Sequence, residues 1–216
     1  MTQAFRPATV LVLKLGFIGF VLACAVVIAL ARWRMAPPGA GTTAISQPIR
    51  FSHQHHAGDD GIDCRYCHTS VEKSRFAGLP STDICLTCHS QLFRDAPALA
   101  PLHESASTGL PIRWNRVHKI PDFAYFDHSI HISKGVACIE CHGRVDRMPV
   151  LVRVASLEMQ WCLACHRSAP QHVGPLSDVF LMQDKRPLSA QEVTQLNRML
   201  HLQSTRRLTD CSTCHR

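Results

Sequence analysis

The sequence predicts a mostly α-helical, loop-rich domain whose core is filled by a bound group rather than by its own side chains, behind one N-terminal transmembrane helix. Three observations predict it. Cys (11) and His (14) are far in excess for 216 residues, while aromatics are only 6%. A domain of this size ordinarily builds its core on more aromatic area. Ten of the eleven Cys fall into one short motif repeated five times, and an uncharged run, Leu15 to Ala31, stands near the N-terminus. Charged residues at 18% and hydrophobic residues at 46% exclude a disordered polyelectrolyte.

The apolar run comes first in the chain. About 20 apolar residues are needed to cross the hydrocarbon core as a helix, and the span expected here is 10–32, with Lys14 snorkelling at one end. Trp33 between Arg32 and Arg34 makes an interfacial girdle at the other end. A cleaved signal peptide fits less well, because Ala31-Arg-Trp-Arg34 is a poor small-residue cleavage site. Lipoprotein processing at Cys24 would leave an apolar tail from Ala25 to Ala31. Residues 1–9 are then a cytoplasmic tail. Residues 33–50 are a linker that contains the spacer Pro37-Pro-Gly-Ala-Gly-Thr-Thr43, and 51–216 is the domain.

The repeated motif is C-x-x-C-H. Its copies are Cys64, Cys67 and His68; Cys85, Cys88 and His89; Cys138, Cys141 and His142; Cys162, Cys165 and His166; and Cys211, Cys214 and His215. This is the attachment motif of c-type haem. The two thiols add to the two vinyl groups, and the two-residue gap places both sulfurs on one side of a helical turn. The His that follows projects under the ring and ligates iron. Two C-x-x-C knuckles could make a zinc ribbon, but five motifs leave one over, and zinc does not call for His after each knuckle. Five such His by chance is on the order of one in a million. Structural disulfides account for the Cys and not the His. The reading is five covalently bound haem c groups. Covalent haem attachment takes place outside the cytoplasm, so the anchor runs N-in, C-out and the domain faces the periplasm.

Nine His remain as candidates for the sixth ligand positions: His53, His55, His56, His103, His118, His128, His131, His172 and His201. An internal repeat selects among them. Phe51-Ser-His53-Gln-His-His56 precedes the first motif and Phe126-Asp-His128-Ser-Ile-His131 the third, and both read F-x-H-x-x-H. Each is followed by two haem motifs, which gives two related units at about 51–92 and 126–167 and a fifth haem at 211–215. Two His at i and i+3 lie on adjacent faces of a helical turn and can serve two neighbouring haems. His53, His56, His128 and His131 are therefore expected as distal ligands on four different irons. His55 breaks the repeat against Ile130 and reads as a solvent His or a hydrogen-bond partner. His118, leading into the second repeat, is the choice for the fifth iron. His201 is the runner-up, on a helix opened by a Ser189-x-x-Glu192 capping box with Val193, Leu196 and Leu200 on one face. Met148 or Met159 would be a replacement ligand that raises potential.

The pattern resembles the small multihaem cytochromes of the c3 and c7 type. In that family the first His of the pair caps the haem of the next C-x-x-C-H and the second caps another haem. The resemblance implies c3/c7-like haem packing, with His53 over the haem of His68 and His128 over that of His142. Formal charge is +7 with pI near 9.0. Each oxidised haem nets about −1 once its propionates are counted, which brings the holo-protein nearer about +2. No nucleic-acid partner is expected.

More closely, Phe51 to Val71, Pro121 to His131, Cys141 to Met148 and Met159 to Arg167 are similar to the pentahaem cytochrome c subunit of alternative complex III, from about Phe51 to the C-terminus. That resemblance implies an electron-transfer subunit, not catalytic alone, in a respiratory or photosynthetic quinol-oxidising membrane complex. The partners it implies are an integral-membrane quinol-binding subunit, an iron–sulfur subunit and a monohaem cytochrome c, together with the lipid bilayer. Electrons would leave toward a periplasmic cytochrome or an oxidase. An alternative is an anchored multihaem quinol dehydrogenase feeding a periplasmic reductase. A nitrite- or hydroxylamine-reductase reading needs an open iron, often with Lys in place of the motif His, and all five motifs here keep His.

Overall fold

The computed structural model describes residues 6–35, 44–184 and 186–215. The side chains of Trp33 and Arg34 and the spacer 37–43 lie outside what is described. The chain divides into two compact units, Met1–Gly39 and Ala40–Arg216. The first is a single helix, α1 (Pro7–Met35), which begins before the expected Val10. Its stretch Ala8–Arg32 is long and apolar enough to cross a membrane, with mean hydropathy 2.7 over an 18-residue window.

The second unit is built of short helices and loops: α2 (Cys64–Cys67), α3 (Thr82–His89), α4 (Ala100–Thr108), α5 (His128–Ser133), α6 (Ile139–His142), α7 (Met159–Arg167), α8 (Ala190–Met199), α9 (Thr205–Leu208) and α10 (Cys211–Cys214). Among the described residues there are no strands, only an isolated bridge between Val136 and Val173. A four-residue helix cannot stand on propensity, so local caps carry it. Asp63 before Cys64 accepts from the Arg65 amide, and Asp210 before Cys211 accepts from the Ser212 amide. Asp127 caps α5 through the Ser129 and Ile130 amides. The capping box at Ser189 and Glu192 is formed and opens α8.

Among the described residues the fully buried apolar side chains are Leu, Val and Ala, with Leu102 and Val179 the largest below 2% exposure. Phe76, Phe93 and Phe123 are exposed instead, at 58%, 69% and 69%. An interior without aromatics beside open aromatic rings fits a core that a flat apolar group completes. One small side-chain core does form, where Leu196 and Leu200, at the end of α8, pack on Val173. His201 lies past the end of α8, exposed and with φ 47°, rather than on the helix as expected.

The two F-x-H-x-x-H segments are not quite alike. The second is the α-turn α5, while the first winds into a π-turn, Gln54–Asp59, with His53 as its cap. That π-turn packs on the 3-10 turn Val145–Arg147, which follows the third motif. The close approach requires Gly58, because a Cβ there would collide with the Asp146 carbonyl oxygen.

Candidate functional site

Each C-x-x-C pair sits on one helical turn, in α2, α3, α7 and α10, and at Cys138 capping α6. The sequence treats the ten motif thiols as equivalent, and the structure does not. Cys88 of the second motif is exposed, as is Cys211 of the fifth, whereas Cys165 of the fourth is half-buried like the other seven. Cys88 Sγ receives only a long contact of 3.9 Å from the neighbouring Thr87 hydroxyl. Cys165 instead acts electrostatically on Cys141 of the third motif, helping to raise its thiol. The second motif thus presents one of its thiols to the surface, while all four thiols of the third and fourth are half-buried.

The helix fixes where the following imidazole points, and a backbone carbonyl then fixes its rotation. His68 Nδ1 donates to Gly78 at 2.7 Å, His89 to Leu92 at 3.0 Å, His166 to Leu208 at 2.8 Å and His215 to Phe123 at 3.0 Å. With Nδ1 carrying the proton, Nε2 keeps its lone pair for iron.

The candidate distal His are held in the same way. His56 Nδ1 donates to the Ser52 carbonyl at 2.9 Å, His131 to Asp127 at 2.7 Å and His128 to Arg75 at 2.8 Å. Their rings stand opposite motif rings. Centroids are 6.2 Å apart for His56 and His89, 6.4 Å for His128 and His142, and 6.2 Å for His131 and His166. Two metal–nitrogen bonds of about 2 Å plus half of each ring put trans imidazoles roughly 6 Å apart. These three pairs therefore fit one iron each, and His53 lies near His68. Among the described residues no three His, Cys, Asp or Glu are arranged to hold a bare metal ion. The residues present fit haem.

Electrostatics agrees with that use. Burial lowers His142 to about 3 and His53 to about 4, with neighbouring imidazoles adding to the effect, and burial also lowers His131 and His118. All stay neutral at pH 7, the form that binds iron. Burial likewise pushes the Cys141 thiol up to about 12, with Cys165 the next contributor, and Cys138 up to about 11.

The motifs neighbour one another in a definite order. Tyr66 of the first and Thr87 of the second share a hydrogen bond of 2.8 Å. The two repeat units meet where His128 reaches Arg75. Glu140 of the third accepts from His172 Nδ1 at 3.0 Å, and Ser168, just after the fourth, contacts His172 Nε2 at 3.3 Å. His166 of the fourth reaches Leu208, shortly before the fifth. Attachment sites thus follow one another as second, first, third, fourth, fifth.

The other His fall as follows. The His118 ring meets His142 edge-on at 4.4 Å, nearer than trans ligands stand, whereas the His215 ring is stacked with Phe123 at 6.0 Å. The structure does not show His118 opposite His215. His55 is exposed, beside Asp59 at 3.9 Å and Asp60 at 3.6 Å. His172 joins the third and fourth attachment sites, a role with no signal in the sequence. Phe51 and Phe126 are visible in the sequence as the constant Phe of the repeat, yet their work is not: each packs on both His that follow it.

Residues 124–216 match the family model of cytochrome c7 and related cytochrome c. The chain is also 39% identical over 102 residues to the multihaem cytochrome c subunit of a menaquinone reductase from Nitratidesulfovibrio vulgaris Hildenborough. That match takes in 47% of this chain and 48% of the relative, so the chain spans about half the length of the relative it matches.

Proposed function

We propose that the chain is a multihaem cytochrome c carrying five haems, the electron-transfer subunit of a membrane quinol-oxidising complex of the alternative complex III type. The observation that carries this is the facing of His56 with His89, His128 with His142 and His131 with His166 at 6.2–6.4 Å. At these three pairs, imidazoles on both faces would leave a bound haem iron no site for substrate, which suits reversible one-electron transfer.

Bound haem supplies reversible one-electron chemistry at iron. The chain supplies the ligands, with His53 and His68, His56 and His89, His128 and His142, and His131 and His166 as pairs, and His215 on the fifth. The Nδ1-bound carbonyls set ligand basicity. The succession of attachment sites gives a path with the second motif at one end and the fifth at the other. The helix α1 anchors the subunit with its domain on the periplasmic side. The membrane quinol-binding subunit, the iron–sulfur subunit and the monohaem cytochrome are its proposed partners. His118, its ring against His142, serves this path as packing beside a ligand.

A second reading follows from the relative, which is a subunit of a menaquinone reductase. Electrons would then run toward quinone. One experiment covers both. The full chain in detergent is mixed with a menaquinol analogue, alone and in the native membrane complex, and haem absorbance is followed. Reduction only in the complex supports the proposal. Reduction by the isolated chain at the rate of the complex would make it a quinol dehydrogenase. Oxidation of prereduced haems by menaquinone in the complex, without steady-state quinol oxidation, favours the second reading.

A further inference from the structure

The domain begins on a clasp. Asn115, in the loop after α4, donates its amide to Gln47 Oε1 at 2.9 Å and accepts from Gln47 Nε2 on its carbonyl at 2.7 Å. Its Nδ2 donates to the Ser46 carbonyl at 2.7 Å. Three hydrogen bonds thus fix the start of the domain to a loop 68 residues further on. Residues 36–45 are all the chain that separates the clasp from the end of α1. A chain of that length reaches at most about 40 Å. The clasped loop is therefore the part of the domain that the anchor tethers most tightly.

The loop has two unlike sides. α4 ends on Gly109, whose φ of 71° turns the chain, and the buried Ser105 hydroxyl donates to the Leu110 carbonyl at 2.6 Å. Beyond that turn Ile112, Trp114, Val117 and His118 are half-buried, and His118 lies against His142. Arg113, Arg116 and Lys119 are exposed, as is Arg50 just after the clasp. Neither 44–50 nor 109–120 contains Asp or Glu, and the first acidic residue that follows is Asp122. The arginine ion pairs among the described residues belong to Arg65, Arg144 and Arg186 instead. The same two segments hold out two apolar side chains, Leu110 at 67% and Ile45 at 42% exposure.

Exposed cations with no counter-charge attract an anionic surface. Each basic side chain near anionic lipid strengthens binding by about fivefold, and apolar side chains beside it sink into the headgroup boundary. We propose that the clasped loop, Leu110 to Lys119 with Ile45 and Arg50, is the surface by which the domain lies on anionic lipid headgroups. Arg50, Arg113, Arg116 and Lys119 meet lipid phosphates, and Leu110 and Ile45 enter the boundary below them. An acidic protein would attract the same charges, but the clasp favours lipid, because it fixes them to the one stretch whose distance from the bilayer the chain limits. The inner side of the loop holds His118 on His142, so the lipid contact backs on the third attachment site. This rests on α1 anchoring the chain in a bilayer, as proposed above.

The test is hydrogen exchange of the full holo-protein in nanodiscs of phosphatidylcholine, with and without phosphatidylglycerol. Exchange across 109–120 should slow by about fivefold or more when phosphatidylglycerol is present, and the slowing should fade at high salt. Replacing Arg113, Arg116 and Lys119 together by Glu should abolish it, whereas Arg113→Lys with Arg116→Lys should keep it. Equal exchange in the two lipids, or slowing that survives the Glu variant, overturns the proposal. Slowing that needs the partner subunits of the native complex overturns it too, and makes the loop a protein interface. If these charges hold haem propionates instead, the Glu variant shifts a haem potential in detergent and no lipid effect is seen, which also overturns it. Alkaline carbonate separates this inference from the anchor. A chain washed out of native membranes loses both readings, while a chain retained there with equal exchange in the two lipids loses this one alone.

Discussion

Phe51 stacks on His56 with ring centroids 4.4 Å apart and planes 27° apart, and the same ring meets His53 edge-on at 4.9 Å. Phe126 repeats this on His131 at 4.5 Å and on His128 at 4.8 Å. One ring thus orients two imidazoles that are proposed as ligands of different irons. Aromatic contacts of this kind are worth about 0.5–1.5 kcal/mol each beyond their area. Phe51→Leu should therefore change the low-spin signals of two haems together and leave those set by Phe126 unmoved. Electron paramagnetic resonance of the oxidised variant checks this. A change in one signal only would mean that Phe51 positions a single ligand.

The ring pairs predict a one-to-one map. His56→Ala should open the iron of the haem on Cys85 and Cys88, His131→Ala that of the haem on Cys162 and Cys165, and His128→Ala that of the haem on Cys138 and Cys141. Each should add one high-spin haem to those of the unaltered protein, while the denatured mass still shows five haem adducts. His118→Ala should leave all low-spin signals in place and disturb only the one from the His142 iron, because its ring packs on His142 at 4.4 Å. A new high-spin signal in that variant would return His118 to the ligand set.

The parts legible in the sequence are those with a local cause. The C-x-x-C-H turns, the Ser189–Glu192 box and the F-x-H-x-x-H repeat all depend on residues a few positions apart, so spacing alone reveals them. Contacts between distant segments are not legible. The acceptors for His128, His166 and His215 are backbone carbonyls of Arg75, Leu208 and Phe123. A carbonyl has no side-chain signature, and any residue supplies one. The different settings of Cys88 and Cys165 are hidden for the same reason, since burial depends on which distant segments cover an otherwise identical turn. The pattern misplaces His201 because Val193, Leu196 and Leu200 share a face, which suggests a longer helix. The helix instead ends at Met199, where the Leu200 carbonyl is taken by Lys134 Nζ at 2.7 Å.

Glu192 gives a pH dependence. Its carboxylate is held down to about 2, chiefly by the Arg186 guanidinium at 2.6 Å and then by the Ser189 amide at 2.8 Å. A depressed carboxyl stabilises the fold above its unfolded value of about 4.3, and that contribution is lost as pH falls through the folded value. The start of α8 should therefore loosen between about pH 4 and pH 2. Hydrogen exchange at the Ser189 amide should accelerate over that window, and Glu192→Gln should flatten the profile. An unchanged profile would show that the box contributes nothing to α8.

Gly58 tests the contact between the repeat units most directly. A Cβ at this position would run into the Asp146 carbonyl oxygen, which is backbone and cannot rotate away. Gly58→Ala must then lift the π-turn Gln54–Asp59 off the turn Val145–Arg147, and overpacking of this kind costs about 1–3 kcal/mol. The neighbouring bond from Gln54 to Met148, at 3.1 Å, should lengthen with it. His53 caps the moved turn and His56 lies within it, whereas at the other junction His128 is anchored on Arg75 and Ser129 on Ser74. The expected outcome is a lower unfolding midpoint, with altered signals from the irons facing His68 and His89 and unaltered signals from those facing His142 and His166. Gly61→Ala is the control. Nothing lies within 4 Å of a Cβ there, but its φ of +66° also strains a side chain, so it costs stability without pushing the turn away from Asp146. If Gly61→Ala moves the same two signals as Gly58→Ala, backbone strain rather than the inter-unit contact governs the ligands.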